Sequence, residues 1–341
     1  MKAIEILEKA HDSSEPLVAP VRLDLSITGA CNTDCPYCWQ TDHTNVGNLT
    51  LENLSTVIKD LCSWRPPWAI DITGGEPTIW KGFIEFVSLC RDKGIHNILV
   101  NTNAIKIANK NYAKKIIEAG VTTFGVSIDT LNPEKHLELR RFPFSKMQKA
   151  LDNLYELKKT HKFGVSLNAV LSKLVTPEEV AAVKDYANDQ GFGFFCQAVH
   201  LGPAVDKYRL SEQERDDRDR VLTWREESYH GDKNLKKVQN TDKFSRETHP
   251  LQKPGGRCFK AFTTLKIVIN GDVRVCWNGP APIGNILRQP ILEIWKGAEA
   301  KRAREYIKNN KCSCLFDCDI YESLGLERIT EKVMAKHGTD Y

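Results

Sequence analysis

The chain has 341 residues, 41% hydrophobic and 27% charged, with a formal net charge of +4, enough length to bury a large core in one domain or two. Its small and dispersed charge argues against nucleic-acid or membrane partners, and no apolar run is long enough to span a bilayer. The start Met1-Lys-Ala-Ile-Glu-Ile-Leu-Glu lacks a secretory pattern, so a cytoplasmic location is expected, and there eleven cysteines point to metal rather than to disulfides.

Residues 1–20 read as an N-terminal helical extension. From residue 21 to 203, β-type runs alternate with amphipathic helical ones, the order expected of a parallel sheet with crossover helices. Val21, Leu23, Leu25 and Ile27 alternate in the first strand, which ends at Cys31-Asn-Thr-Asp-Cys35-Pro-Tyr-Cys38. Leu51, Leu54, Val57, Ile58 and Leu61 mark one helix face, with Thr50 as its N-cap. A second strand over 69–72 runs into Thr73 and Gly74-Gly75-Glu76-Pro77. Further strands are expected over 97–102, 123–128, 164–170 and 193–196, and helices near 80–90, 111–119, 145–160 and 177–190, the last closed by Gly191. Right-handed crossovers place all strand C-termini at one end, so the segments after strands one, two and four meet there. Six β/α repeats result, a pattern that suits an open doubly wound sheet as well as a partial barrel.

Residues 204–256 are strongly charged, with a helical stretch near 211–224 and a Lys-rich run toward His249, and read as a linker or covering segment. A small second unit is expected over 257–320. In it Leu265, Ile267 and Ile269 alternate before the turn Asn270-Gly271-Asp272, and Val273 and Val275 follow, a hairpin signal. One helix over 292–309 leads to the last cysteines, and 321–341 form a polar helical tail. Cys62, Cys90 and Cys196 sit singly in apolar surroundings and read as core thiols; the other eight cysteines form two groups.

Cys31, Cys35 and Cys38 supply three thiolates in a spacing that suits one cubane iron–sulfur cluster with its fourth iron left open. Zinc is the alternative. It needs four closed ligands, and His43 lies nearby without a partner spacing. Gly74 and Gly75 permit close backbone approach to a ligand, although such a run is by itself an ordinary turn. Ser127 and Asp129 share one strand face, with helix capping and a solvated Arg140 as the plain alternative.

With Tyr37 placed just before the third cysteine, and with His136 and Arg140 following Ser127-Ile-Asp129, the chain over most of 21–320 resembles the radical S-adenosylmethionine (radical SAM) superfamily with a C-terminal SPASM or twitch-type auxiliary cluster domain. The resemblance implies an α/β fold, a partial (β/α)6 TIM-like barrel with a small C-terminal β-hairpin plus helix. It implies that the amino and carboxylate groups of S-adenosylmethionine chelate the open iron of a [4Fe–4S] cluster. An electron then releases a 5′-deoxyadenosyl radical that takes hydrogen from substrate. Tyr37, Gly74, Gly75, Glu76, Asn103, Ser127, Asp129 and Arg140 become the cofactor-binding residues: Glu76 toward the ammonium, Ser127 and Arg140 toward the carboxylate. Asn101 and Asn103 match a Thr-Asn-Gly segment in which Ala104 replaces the glycine.

Cys258, Cys276, Cys312, Cys314 and Cys318 match the opening of the SPASM pattern, with Gly271 five residues before Cys276, and depart from its ending. Five late cysteines in place of seven imply one auxiliary [4Fe–4S] cluster of the twitch kind; zinc also suits them, and which four ligate stays open. Relatives include peptide maturases, aminosugar dehydrogenases, epimerases and decarboxylases. The short segment before the first strand has no room for a leader-binding module, which favours a small biosynthetic metabolite. A peptide maturase with a separate leader-binding partner is the next reading, and a non-catalytic iron–sulfur or zinc regulatory protein the third. The expected partners are a small-molecule or peptide substrate and a reducing protein such as flavodoxin or ferredoxin. The sequence does not identify the general acid or base or the residue that quenches the radical; Cys196, Gln197 and His200 near the last strand, with 204–256, are the places to look.

Overall fold

The computed structural model describes residues 3–38, 49–198, 259–276 and 281–309. Cys258, Cys312, Cys314, Cys318, His200, the segment 204–256 and the tail 321–341 lie outside the described residues.

After helix α1 (Ala3–Ser13), strands β1 (Arg22–Ser26), β2 (Ala69–Thr73), β3 (Asn97–Thr102), β4 (Thr123–Ser127), β5 (Gly164–Leu171) and β6 (Gly193–Ala198) alternate with helices. These are α2 (Leu51–Trp64), α3 (Phe83–Asp92), α4 (Lys110–Ala119), α5 (Pro133–Arg140), α6 (Phe144–Lys158) and α7 (Pro177–Asp189). Thr50 caps α2 as expected, in a reciprocal box with Asn53. Gly191, at φ 63°, closes α7 with Phe192 N–H donating to the Ala187 carbonyl.

The strands pair in parallel in the order β6-β5-β4-β3-β2-β1, an open sheet in which, among the described residues, each of β1 to β5 is followed by a helix before the next strand. One face of it carries Leu23, Leu25, Ile70, Ile72, Ile98, Val100, Phe124, Val126, Val165 and Leu167, all essentially buried with Leu54, Ile58 and Leu61 of α2 in the same core. Side chains alternate along a strand, so the opposite, concave face holds the intervening residues: Arg22, Asp24, Asp71, Asn101, Gly125, Ser166 and Asn168.

The C-terminal unit continues this sheet. After the single turn α8 (Lys260–Thr263), β7 (Thr264–Ile267) pairs in parallel with β1, placing Lys266 opposite Asp24. Then β8 (Asp272–Arg274) returns antiparallel to β7 through a turn with Gly271 at φ 85°, as the hairpin signal required, and β9 (Gly284–Asn285) closes the edge. The single helix expected over 292–309 is instead two, α9 (Ile291–Lys296) and α10 (Ala298–Asn309), because Gly297 leaves the helical conformation at ψ 165°. Arg304 is buried in the joint, donating from Nε to Ala261 O (3.0 Å) and from Nη2 to Trp295 O (2.7 Å). Cys90 and Cys196 are buried core thiols, whereas Cys62 is only half-buried.

Candidate active site

The C-terminal ends of β1, β2, β3 and β4 meet at one mouth. Past β1, Cys31, Cys35 and Cys38 lie on one loop as partly exposed thiols. The Gly-Gly turn after β2 is pressed against this loop: Gly75 N–H donates to Thr28 O (2.7 Å) and Glu76 N–H to Ala30 O (2.9 Å). A Cβ on Gly74, whose φ is 136°, would lie 2.4 Å from Thr28 O, and one on Gly75 would lie 2.2 Å from Ala30 O. Both positions therefore require glycine, first for the contact with the cysteine loop.

Glu76 follows this turn. Its side chain, 1% exposed, is turned into the protein. Oε1 accepts from Thr78 N (3.1 Å), Thr78 Oγ1 (2.5 Å) and Thr102 Oγ1 (2.7 Å), and Oε2 from Asn103 N (2.7 Å). Burial raises this carboxyl above its ordinary pKa, with the four donors acting against it. Glu76 thus ties the Gly-Gly turn to the end of β3. Asn103 in turn donates from Nδ2 to Asn32 Oδ1 (2.7 Å) and approaches Cys31 Sγ at 3.9 Å. Ala104 adopts the left-handed conformation (φ 63°) although it is not glycine.

Tyr37, Asp129 and Arg140 form a second tie. The Tyr37 hydroxyl donates to Asp129 Oδ2, Arg140 Nη2 donates to Asp129 Oδ1 (2.8 Å), and Val170 N–H donates to the same Oδ1 (2.9 Å). Arg140 Nε lies 2.7 Å from Oδ2 as an ion-pair contact without hydrogen-bond alignment, and Nη1 makes none of these contacts. Burial pushes the Tyr37 hydroxyl well above its ordinary pKa, so it stays a donor. Burial alone would lower the Arg140 pKa, but Asp129, Tyr37 and Cys35 together, with the hydrogen bond to Asp129, raise it above its ordinary value and hold the guanidinium charged. Ser127, partly exposed, ends β4 opposite Asn168. On α5, His136 is fully buried, its ring set edge-on to Phe142 and Phe144, and its nitrogens find no hydrogen-bond partner among the described residues. Burial, helped by Arg140, lowers its pKa to about 4.

Sequence reasoning passed over a third group, on the concave face one pleat below the mouth. Ser166 Oγ donates to Asn168 Oδ1 (2.9 Å), Asn168 Nδ2 to Asn101 Oδ1 (3.2 Å), and Asn101 Nδ2 to Asp71 Oδ1 (2.7 Å). Arg22 bridges Asp71 Oδ2 and Asp24 Oδ1, both at 2.7 Å, and buried Lys266 donates to Asp24 Oδ2. Burial alone would raise the Asp24 pKa, but Lys266, Arg22 and Lys260 hold it far below the usual carboxylate range. Gly125 makes room for the chain, since a Cβ there would lie 2.4 Å from Asn101 Oδ1. The signal was present as polar residues recurring at every second position inside strands whose other face is wholly apolar.

The residues at the mouth fit a cluster. Three soft thiolates on one loop suit iron bound to sulfide, and Thr33 Oγ1, 3.4 Å from Cys31 Sγ and 3.7 Å from Cys35 Sγ, supplies polar company for the sulfurs.

Comparisons with known proteins agree with this reading. The Radical SAM superfamily profile matches residues 25–187, and that of SPASM, an iron–sulfur cluster-binding domain, matches 258–319. The chain is 31% identical over 243 residues to a GTP 3′,8-cyclase of Alkaliphilus oremlandii, covering 68% of this chain and 69% of that protein. It is 30% identical over 200 residues to a 7,8-dihydro-6-hydroxymethylpterin dimethyltransferase of Methanocaldococcus jannaschii, covering 55% of this chain and spanning only 38% of that protein's length. Among solved structures, Streptococcus suis SuiB bound to S-adenosylmethionine superposes with TM-score 0.63 at 17% identity, covering 87% of this chain and 69% of that one. Native anSMEcpe with bound AdoMet and Cp18Cys peptide gives 0.60 at 18%, covering 92% and 97%. These likenesses establish the partial TIM-like barrel fold. The chain is an enzyme of the radical SAM superfamily with a C-terminal SPASM iron–sulfur domain.

Proposed function

We propose that this enzyme removes a hydrogen atom from a small polar metabolite seated over the concave face of the barrel, and that an auxiliary [4Fe–4S] cluster in the C-terminal unit assists the conversion. The observation that carries this reading is the contact of the Gly74-Gly75 turn with the loop of Cys31, Cys35 and Cys38, directly above a polar floor. When bound, the first cluster and S-adenosylmethionine supply reductive cleavage and hydrogen-atom abstraction.

Cys31, Cys35 and Cys38 hold that cluster. The backbone of Gly74 and Gly75 receives the ammonium end of the cofactor, since the Glu76 carboxylate is occupied. Ser127 and the Nη1 group of Arg140 take its carboxylate, for which a guanidinium already clamped by Asp129 is pre-oriented. Tyr37 fixes the cysteine loop to the barrel and helps to exclude water. Cys258, Cys276 and two of Cys312, Cys314 and Cys318 hold one auxiliary cluster; of these, Cys276 is buried two residues past the end of β8. A flavodoxin or ferredoxin supplies the electron.

The names of the sequence relatives, a GTP cyclase and a pterin dimethyltransferase, support a small molecule over a peptide. In the floor, Arg22 is matched by Asp24 and Asp71, and Lys266 by Asp24, so that surface favours a neutral hydrogen-bonding part of the substrate over a phosphate. Anaerobic reconstitution followed by iron and sulfide analysis, and by chromatography for 5′-deoxyadenosine after dithionite reduction with S-adenosylmethionine, tests the reading. Protein lacking iron and sulfide, or loaded protein yielding no 5′-deoxyadenosine, would refute it.

A further inference from the structure

Asn103 is nine-tenths buried at the end of β3, and four contacts determine where its carboxamide points. Its backbone N–H is held by Glu76 Oε2 at 2.7 Å. The left-handed Ala104 turns the chain back, so that Asn103 Oδ1 accepts from Ile105 N at 3.1 Å. With the oxygen occupied on that side, the amide group faces the cysteine loop. There its two hydrogens have two acceptors, Asn32 Oδ1 at 2.7 Å and Cys31 Sγ at 3.9 Å. The carboxamide sense therefore follows from the Ile105 contact.

We propose that Asn103 is a positioning residue that donates an N–H···S hydrogen bond to Cys31 and thereby raises the reduction potential of the cluster held by Cys31, Cys35 and Cys38. The proposal rests on the cluster reading above and adds a role that the cofactor-binding assignment of Asn103 does not contain. An N–H aimed at a ligating thiolate stabilises the extra negative charge of the reduced state, so removing it makes reduction harder. Glu76 acts one step further out: its carboxylate holds the Asn103 backbone in the position from which the amide reaches sulfur.

The test is a potentiometric titration of the reconstituted full-length protein without S-adenosylmethionine, followed by electron paramagnetic resonance, with resonance Raman of the Fe–S(Cys) stretches as a second readout. For Asn103→Ala the midpoint is expected to move to more negative potential and an Fe–S(Cys) stretch to rise in frequency. Asn103→Asp, which puts an acceptor where the donor was, is expected to move it further in the same direction. If Asn103→Ala fails to take up iron, Asn103→Ser is measured in its place, and it retains a short oxygen for Ile105 N–H. A loaded variant with the parent's midpoint overturns the proposal and leaves the cluster reading standing. A parent protein that binds no iron and sulfide overturns both.

Discussion

The mouth of the barrel and its floor are built from similar polar residues, yet they satisfy them differently. At the mouth, side chains are committed to loops: Glu76 to Thr78, Thr102 and Asn103, and Asp129 to Tyr37, Arg140 and Val170. In the floor they are committed to each other across neighbouring strands, in a chain from Ser166 to Asp71 and through Arg22 to Asp24. The mouth holds loops from different strands in one arrangement, as a reactive centre requires. The floor presents leftover hydrogen-bonding capacity to whatever lies above it. Damage at the mouth should thus abolish cofactor chemistry, and damage in the floor should spare it.

The sharpest test of that division is Cys35→Ala, which should eliminate 5′-deoxyadenosine formation and lower the iron content by about one [4Fe–4S] cluster per chain; retained product would break it. Asp129→Ala strands the buried Arg140 charge and should cost about 3–5 kcal/mol in denaturant unfolding, a figure typical of a broken buried pair. A third measurement concerns pH. His136 stays neutral in the fold down to about pH 4 while the unfolded chain binds its proton near its ordinary value, so the unfolded state holds more protons in between. Stability should decline by up to about 3 kcal/mol as pH falls from about 6.5 to 4, at ~1.4 kcal/mol per unit, and His136→Phe should flatten that slope. Asn101→Ala, in the floor, should leave substrate-free cleavage of S-adenosylmethionine within about twofold of the parent and cost ~1–3 kcal/mol through its lost partners. Loss of that cleavage would erase the distinction between floor and mouth.

How much of this was legible follows from what each element announces. The six strands carry apolar residues at alternate positions, and all were placed within two residues or so of their observed bounds. The cysteine loop and the Gly-Gly turn were legible because their chemistry permits few substitutes. Helix α5 was not read as a helix: of its residues only Leu137 and Leu139 are aliphatic, two apart, and what it buries is His136, Leu139 and Arg140. Its start signal, Asn132 before Pro133, was available in the sequence. The partners of the Glu76 carboxylate were not legible beyond the nearby Thr78, because Thr102 and Asn103 lie far along the chain. The floor was missed because the polar residues of each strand acquire a common meaning only once the strands stand side by side.

The parallel pairing of β7 with β1 brings together residues separated by 242 positions, as in the contact between Lys266 and Asp24. During synthesis, then, β1 must wait with one edge bare until almost four-fifths of the polypeptide has been made. A nascent barrel ending near residue 203 would present an unpaired strand, and the charge of Asp24 without its lysine, to every neighbouring chain. The late hairpin therefore serves as a closing seam for the earlier domain as well as carrying Cys276, and cutting it away should turn a foldable barrel into one that sticks to its own copies.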